Sequence, residues 1–297
     1  MEMKAMPEKK WKIKDLLSVA VDYLRQKEIE NPRLTAEVLL AHGLELERIG
    51  LYLNFDKPLT KKEVSDFRAL IQRRIGHEPL QYITGKQEFW SLDFEVNSKV
   101  LVPRPETEVL LEHAIALAKT ISVSSGESLR VLDMCTGSGI VSVVAAREIE
   151  DARVWATDIS EDALKVARRN ADVHKVSGKI EFLQGDLWAP ITNLRFDLIL
   201  SNPPYVSTSE YPDLPPEVRD HEPKIALDGK EEGLHCIKEI IKSAPDFMDS
   251  GGWLMIEMSP GQTGTVMTMM DEMNAYTGIK RVKDYSRLYR VVMAQKS

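Results

Sequence analysis

Cysteine is nearly missing from this chain. There are two in 297 residues, Cys135 and Cys236, with no CxxC and no other metal-ligand spacing. That argues against a disulfide framework or a zinc site and makes a reducing, cytoplasmic setting the expectation. Long apolar runs are lacking as well: no stretch approaches 18 uninterrupted apolar residues, so no membrane span is expected. Residues 1–14 are charged and contain no apolar h-region, so no secretory signal is expected either. Basic excess is also absent, the net charge being −7. Residues 1–85 hold 15 Lys+Arg against 13 Asp+Glu, so the remainder, 24 against 33, carries all the acidic excess. Bulk attraction for nucleic acid is not expected of such a chain, which disfavours a DNA substrate while leaving room for a local basic patch. What is present, 43% apolar and 29% charged residues, suits a globular protein with a sizeable core.

Residues 11–80 read as short helices. Leu16, Leu17, Ala20, Val21 and Leu24 share one helical face; after a break at Asn31-Pro32 the pattern resumes with Leu34, Val38, Leu39 and His42 until Gly43. Thr60-Lys61-Lys62-Glu63 is a capping box, in which the hydroxyl takes an orphan N–H and the Glu reaches back. It opens a helix with Val64, Phe67, Leu70 and Ile71 inside and Arg68, Arg73 and Arg74 outside. Those arginines form either a solvated basic face or a docking face for an acidic or RNA-bound partner. Phe89, Leu92, Phe94, Val96, Val100 and Val102 have little helical period and predict a β-hairpin turned near Asn97-Ser98. Pro103-Arg104-Pro105 stops it. Residues 106–118 then read as a helix with acids in its first turn, and 121–128 as a loop. The expected domains are 1–85, helical; 86–103, a hairpin connector; and 104–297.

From Leu129 strand and helix alternate. Strands are expected at 131–134, 152–157, 180–183, 196–201 and 253–258, with a closing pair at 281–285 and 288–293. Helices are expected at 140–147, 163–174, 234–247 and 261–274. This alternation predicts an α/β fold, a parallel sheet with helices on both faces.

Three features sit at three successive strand ends. Asp133-Met134-Cys135-Thr136-Gly137-Ser138-Gly139 lies between the first strand and the first helix, where glycines let the backbone approach a ligand. The full dinucleotide fingerprint is not met, since position 142 is serine, which disfavours a nicotinamide site. Asp158, 21 residues past Gly137, can accept both hydroxyls of a ribose. Asp186 can accept from the exocyclic amine of adenine, with Leu187 packed on the base. Singly, each has a plain structural alternative: a turn, a helix cap, a surface acid. Jointly they point to a nucleoside site. The pattern resembles class I methyltransferases, which use S-adenosyl-L-methionine and release S-adenosyl-L-homocysteine. The resemblance implies that Asp133, Cys135, Thr136, Gly137, Ser138 and Gly139 hold the methionine portion, Asp158 the ribose, and Asp186 with Leu187 the adenine.

The fourth strand stops at Asn202-Pro203-Pro204-Tyr205. Two prolines cannot continue a ladder, because neither has an N–H to donate and both fix φ. The Asn202 and Pro203 carbonyls are then free to face a ligand. A tetrapeptide of this kind arises by chance in roughly one chain of this length in a hundred or fewer at average usage, which disfavours an accidental turn. An amide or aromatic amine nitrogen is a poor nucleophile because its lone pair is delocalised. Two fixed acceptors, the Asn202 side-chain oxygen and the Pro203 carbonyl, can bind both its hydrogens and aim the lone pair at a sulfonium methyl. Tyr205 can stack on a planar substrate group and Pro204 can shape the wall. No metal or covalent nucleophile is needed. By itself the motif leaves adenine N6, cytosine N4 and glutamine N5 open.

The flanking sequence narrows that choice. Gly76-His77-Glu78-Pro79-Leu80-Gln81-Tyr82-Ile83-Thr84-Gly85, Glu88-Phe89 and Val100-Leu101-Val102-Pro103-Arg104-Pro105-Glu106-Thr107-Glu108 resemble the peptide-chain release factor N5-glutamine methyltransferases, the PrmC/HemK family. So do Asn202 to Val206, Glu222-Pro223 and Ala226-Leu227-Asp228-Gly229, and the resemblance runs over about residues 12–294. It implies a class I, Rossmann-like domain with a mainly parallel seven-stranded sheet, preceded by a small helical-bundle domain for substrate recognition and a hairpin connector. It also implies methylation of the glutamine in the Gly-Gly-Gln loop of class I release factors; a monomer with no direct nucleic-acid or membrane partner is the expectation. The alternatives are a ribosomal-protein glutamine methyltransferase, an adenine-N6 nucleic-acid methyltransferase and a binding module without catalysis. The first usually differs where residues 103–108 stand; the second predicts a basic recognition domain. The chain departs from the family pattern at Cys135, often glycine, at the less glycine-rich 229–233, and at 284–287, which lack the usual glycine.

Overall fold

A computed structural model of the chain describes residues 10–121 and 127–297, so the middle of the loop expected at 121–128 lies outside the described residues. The chain divides into two compact units, Met1–Gly85 and Lys86–Ser297. Among the described residues, no helix is long and apolar enough to cross a membrane.

The first unit contains α1 (Ile13–Gln26), α2 (Pro32–Gly43), α3 (Arg48–Leu53), α4 (Lys61–Ile75) and α5 (Leu80–Thr84). Leu16, Leu17 and Leu24 meet Leu39, Leu40, Phe67 and Ile71 in one apolar cluster. Pro32 opens α2 at its first helical position, where the missing N–H costs nothing. The buried stripe of α2 is Ala36, Leu39 and Leu40, and not the expected Leu34 and His42, which are exposed. The stripe is rotated because Glu37 is tolerated inside, paired with Arg33 (2.9 Å) and Arg48 (2.8 Å). The capping box at Thr60 forms both of its bonds. The expected three-arginine face on α4 is corrected. Arg68 is exposed, Arg73 pairs with Glu78, and Arg74 is buried with an Nη on the Glu78 carbonyl at 3.0 Å. The chain turns back after Gly76 and brings Glu78 to both.

The second unit opens with the hairpin β1 (Lys86–Phe89) and β2 (Leu92–Glu95). It turns at Trp90-Ser91, not at Asn97-Ser98, and both turn residues have positive φ (56° and 54°), the geometry of a tight two-residue turn. Asn97 makes a side-chain turn instead, accepting from the Lys99 N–H at 2.9 Å. Next come α6 (Thr107–Ala118), β3 (Leu129–Met134), α7 (Ile140–Glu148), β4 (Ala152–Asp158), α8 (Glu161–Val173), β5 (Ile180–Gln184) and β6 (Phe196–Ser201). The chain ends with α9 (Pro216–Arg219), α10 (His235–Ser243), β7 (Met248–Glu257), α11 (Thr263–Glu272), β8 (Tyr276–Lys283) and β9 (Tyr289–Lys296). The hairpin is bound to α8, with Arg169 on the Glu95 carboxylate and the Asn170 amide on its backbone.

The seven strands lie in the order β5-β4-β3-β6-β7-β9-β8, all parallel except β9, which runs against β7 and β8. Alternate residues feed two apolar layers, as the pleat demands. Val131, Val154 and Leu198 face Leu110, Val143 and Ala171; Leu132, Trp155 and Ile199 face Ile237, Ile241 and Val266. The expected α/β class with a seven-stranded, mainly parallel sheet is thus the fold observed. Chain order reverses between β3 and β6, and a sheet of this kind opens a crevice at the carboxyl ends of those strands.

Candidate active site

At the end of β3, Asp133 is 1% exposed. Its Oδ2 accepts from Thr136 Oγ1 (2.5 Å) and from the Ser142 N–H (2.9 Å), which locks the turn onto the first turn of α7. Burial outweighs those bonds and raises its pKa to about 7. Cys135 sits at φ +63°, a region that favours glycine, and burial pushes its thiol pKa up. Gly137 (φ +57°) and Gly139 (φ +84°) need glycine for different reasons. A Cβ on Gly137 would meet nothing within 4 Å, so the demand there is conformational and the space beyond is open. A Cβ on Gly139 would lie 2.9 Å from that of Ala167, so glycine there lets α7 approach α8.

Asp158, at the end of β4, receives the Gly137 N–H on Oδ2 and the Ser160 N–H on Oδ1, both at 2.9 Å. Each oxygen keeps a lone pair for a further donor. Desolvation raises its pKa. Its backbone carbonyl takes the Gly185 N–H at 3.0 Å, which brings the end of β5, with Asp186 and Leu187, alongside.

These groups open onto one cavity of about 310 Å³, within the usual size of a small-molecule site. Asp133, Cys135, Thr136, Gly137, Ser138, Asp158, Asp186 and Leu187 line it, and so do Asn202 and Pro204. Gly139, Pro203 and Tyr205 do not. Gly139 is against α8, Pro203 is buried, and Tyr205 packs on the apolar layer that holds Ile237 and Val266.

At the end of β6 the Asn202 amide donates from Nδ2 to Thr107 Oγ1 at 3.2 Å, so that Oδ1 is the end left for another donor. The backbone of Pro204 and Tyr205 rests on the 229–233 loop. A Cβ on Gly229 would come within 2.7 Å of the Pro204 carbonyl oxygen, and one on Gly233 within 2.1 Å of that of Tyr205. The loop therefore keeps glycine at the two positions where backbone contact demands it. Gln262 Nε2 donates to the carbonyls of Tyr205 (2.9 Å) and Glu232 (3.0 Å), fastening motif and loop together. Opposite, buried Glu222 takes Arg104 on Oε1 (2.6 Å) and the Val102 N–H on Oε2 (3.2 Å). Burial still raises its pKa against the pull of Arg104.

Three residues beside the motif escaped sequence reasoning: Thr107, Gln262 and Glu257. Glu257 ends the apolar run Trp253-Leu254-Met255-Ile256, an acid at a strand's carboxyl end, which is the same signal that marked Asp158. It is 1% exposed, with its pKa raised by burial to about 7.

Residues 15–85 match the family model of the PrmC N-terminal domain, and residues 107–213 that of the methyltransferase small domain. The chain is 43% identical to the release factor glutamine methyltransferase of Geobacter sulfurreducens, over 87% of its own length and 88% of that protein's. It is 39% identical to the protein of the same name from Chlorobaculum tepidum, over 96% and 98%. Among solved structures, a methyltransferase from Pyrococcus furiosus has a TM-score of 0.50 at 18% identity, covering 78% of this chain and 99% of its own. The hMettl16 catalytic domain in complex with a MAT2A 3'UTR hairpin reaches 0.55 at 13% identity, covering 79% and 81%. At those identities the likeness is one of fold.

Proposed function

The chain belongs to the release factor glutamine methyltransferase family, and from that premise we propose that it transfers a methyl group from S-adenosyl-L-methionine to N5 of the glutamine in the Gly-Gly-Gln loop of class I peptide chain release factors. The observation that carries this is one cavity lined both by the donor-side groups at the ends of β3, β4 and β5 and by Asn202 at the end of β6. The residues fit the cofactor. Gly137 leaves open space where a side chain would stand, and Asp158 keeps a lone pair on each oxygen for the two hydroxyls of a ribose. Asp186 and Leu187 line the wall where an adenine would rest.

Bound there, S-adenosyl-L-methionine supplies an electrophilic methyl group on a sulfonium. Asn202, the acceptor of the motif that lines the cavity, takes a hydrogen of the glutamine amide on Oδ1 and orients its nitrogen lone pair, a preorganised arrangement that also favours the positive charge developing on nitrogen. The proton leaves after transfer, when that nitrogen has become acidic, so no side chain needs to take it first. Pro204 forms the wall, and Tyr205 anchors the motif through its ring and its carbonyl. Residues 1–85 serve as the release-factor recognition domain and 86–103 as the connector to the methyltransferase domain, in a monomer acting in the cytoplasm. Mass spectrometry of a release factor incubated with enzyme and cofactor is the test. One added methyl on the loop glutamine is expected; methylation of a ribosomal protein or of nucleic acid, with none on the release factor, overturns the assignment.

A further inference from the structure

An asparagine amide has two ends of nearly the same shape, and only its oxygen can accept from a bound amide. The surroundings of Asn202 decide which end faces the cavity. Its Nδ2 donates to Thr107 Oγ1 (3.2 Å), and Thr107, the first residue of α6, is fully buried. A hydroxyl that has accepted still has one hydrogen to give. Glu257 follows Ile256, the residue that pairs with Ser201, so it stands beside Asn202 at the sheet edge. Thr107 and Asn202 both act on its carboxylate, and its Oε2 is buried with no hydrogen-bond partner. The cation that acts on it, Arg290 of β9, is engaged by Asp284 at 3.2 Å, and Glu106 repels it. A buried acceptor left unmet costs stability, so an unmet one beside the amide calls for a function.

We propose that Glu257, acting through Thr107, sets the direction of the Asn202 amide, and that both are positioning residues for the methyl transfer assigned above. Ionised Glu257 can only accept, so the Thr107 hydroxyl donates to it. The Thr107 oxygen is then left to receive Asn202 Nδ2, and Oδ1 turns to the acceptor nitrogen. Protonated Glu257 donates to Thr107 instead. The Thr107 hydrogen then becomes available to Asn202 Oδ1, and the amide can turn over. Glu257 does not line the cavity, so it exchanges no proton with substrate. Its titration near 7 is set by burial, opposed by Thr107, Arg290 and Asn202 and reinforced by Glu106. Tyr205, the remaining titratable neighbour, is kept neutral by its own burial.

The proposal rests on the glutamine methyltransferase assignment, and the wild-type enzyme tests that separately. Wild-type kcat should fall about tenfold from pH 8 to pH 6 along a one-proton curve, since the ionised fraction of a group near 7 falls by that factor. Glu257→Gln and Thr107→Val should each flatten the curve and lower kcat at pH 8 about tenfold, with KM for the release factor and Kd for S-adenosyl-L-methionine within twofold of wild type. Thr107→Ser should recover most of the loss. The double variant should be no slower than either single one, because both interrupt the same relay. A wild-type pH profile in Glu257→Gln, full turnover in Thr107→Val, or multiplied losses in the double variant each overturn the proposal. Should Glu257→Gln not fold, by circular dichroism, the Thr107→Val and Thr107→Ser pair decides on the same profile. A wild-type enzyme that leaves the release factor unmethylated overturns the parent assignment and this one together.

Discussion

Two acids stand at one edge of the same sheet, Asp133 near the end of β3 and Glu257 at the end of β7. Both are 1% exposed, and both are raised by burial to a pKa of about 7. Their partners set them apart. Asp133 receives a hydroxyl and a backbone N–H and thereby fixes the turn between β3 and α7. The Oε2 of Glu257 receives nothing. A perturbed acid is often taken as a mark of function; here the perturbation is shared, and the two acids differ in their hydrogen bonds. The same contrast divides the site. The ends of β3 and β4 are held by backbone N–H groups and glycine geometry, whereas the end of β6 is held by the side chains of Thr107 and Gln262 and by the backbone of the 229–233 loop.

The sharpest way to break this contrast is Asn202→Ala. Turnover should fall on the order of 10²–10³-fold, while calorimetric affinity for S-adenosyl-L-methionine stays near wild type. Equal loss of both would erase the division between the two sides. Stability against pH comes next. A Glu257 raised from 4.5 to about 7 contributes stability that is complete below 4.5 and lost as pH rises through 7. The loss is roughly 3 kcal/mol at about 1.4 kcal/mol per pKa unit. In urea melts Glu257→Gln should therefore be more stable than wild type at pH 8 and no more stable at pH 4.5; parallel curves would sink this account. By the same linkage the stability contributed by an Asp133 raised from 3.8 to about 7 is also lost as pH rises. Asp133→Ala, however, strands the Ser142 N–H at a cost of about 1–3 kcal/mol, so it should gain less at pH 8 than Glu257→Gln does. An equal gain would make the two acids equivalent. The smallest effect belongs to Gly137→Ala, which meets no atom and should cost about 1 kcal/mol for its left-handed backbone alone. A loss well beyond that in thermal melts would show that the space beyond Gly137 is not open.

Much of this was legible in the chain for a physical reason. Strands covered on both faces read as apolar runs, so the β-α alternation from Leu129 marked the sheet and its order of elements. The glycine turn and Asp158 announced themselves because they are close in sequence and depend on local geometry. Where structure and expectation part, the causes are physical. Trp90 is no turn former, yet Trp90 and Ser91 both adopt positive φ, so composition points to Asn97-Ser98 while the backbone turns earlier. The stripe of α2 departs from the apolar pattern because a carboxylate, Glu37, is inside, paired with Arg33 and Arg48. Thr107 and Gln262 could not be read from spacing, since each meets the motif from a distant segment, whereas Glu257 carried the strand-end signal that marks Asp158.

That distance has a consequence for how the protein comes into being. The Gly137–Asp158 bond spans 21 residues, whereas Asn202–Thr107 spans 95 and Arg104–Glu222 spans 118. Closing long loops costs more entropy and slows assembly. On an emerging chain the donor half can therefore organise while the acceptor half is still absent. β7 leaves the ribosome well after β6, so Asn202 spends that interval without Glu257. In the nascent protein the partners Gly137 and Asp158 are therefore both present long before Asn202 can meet its neighbour on β7.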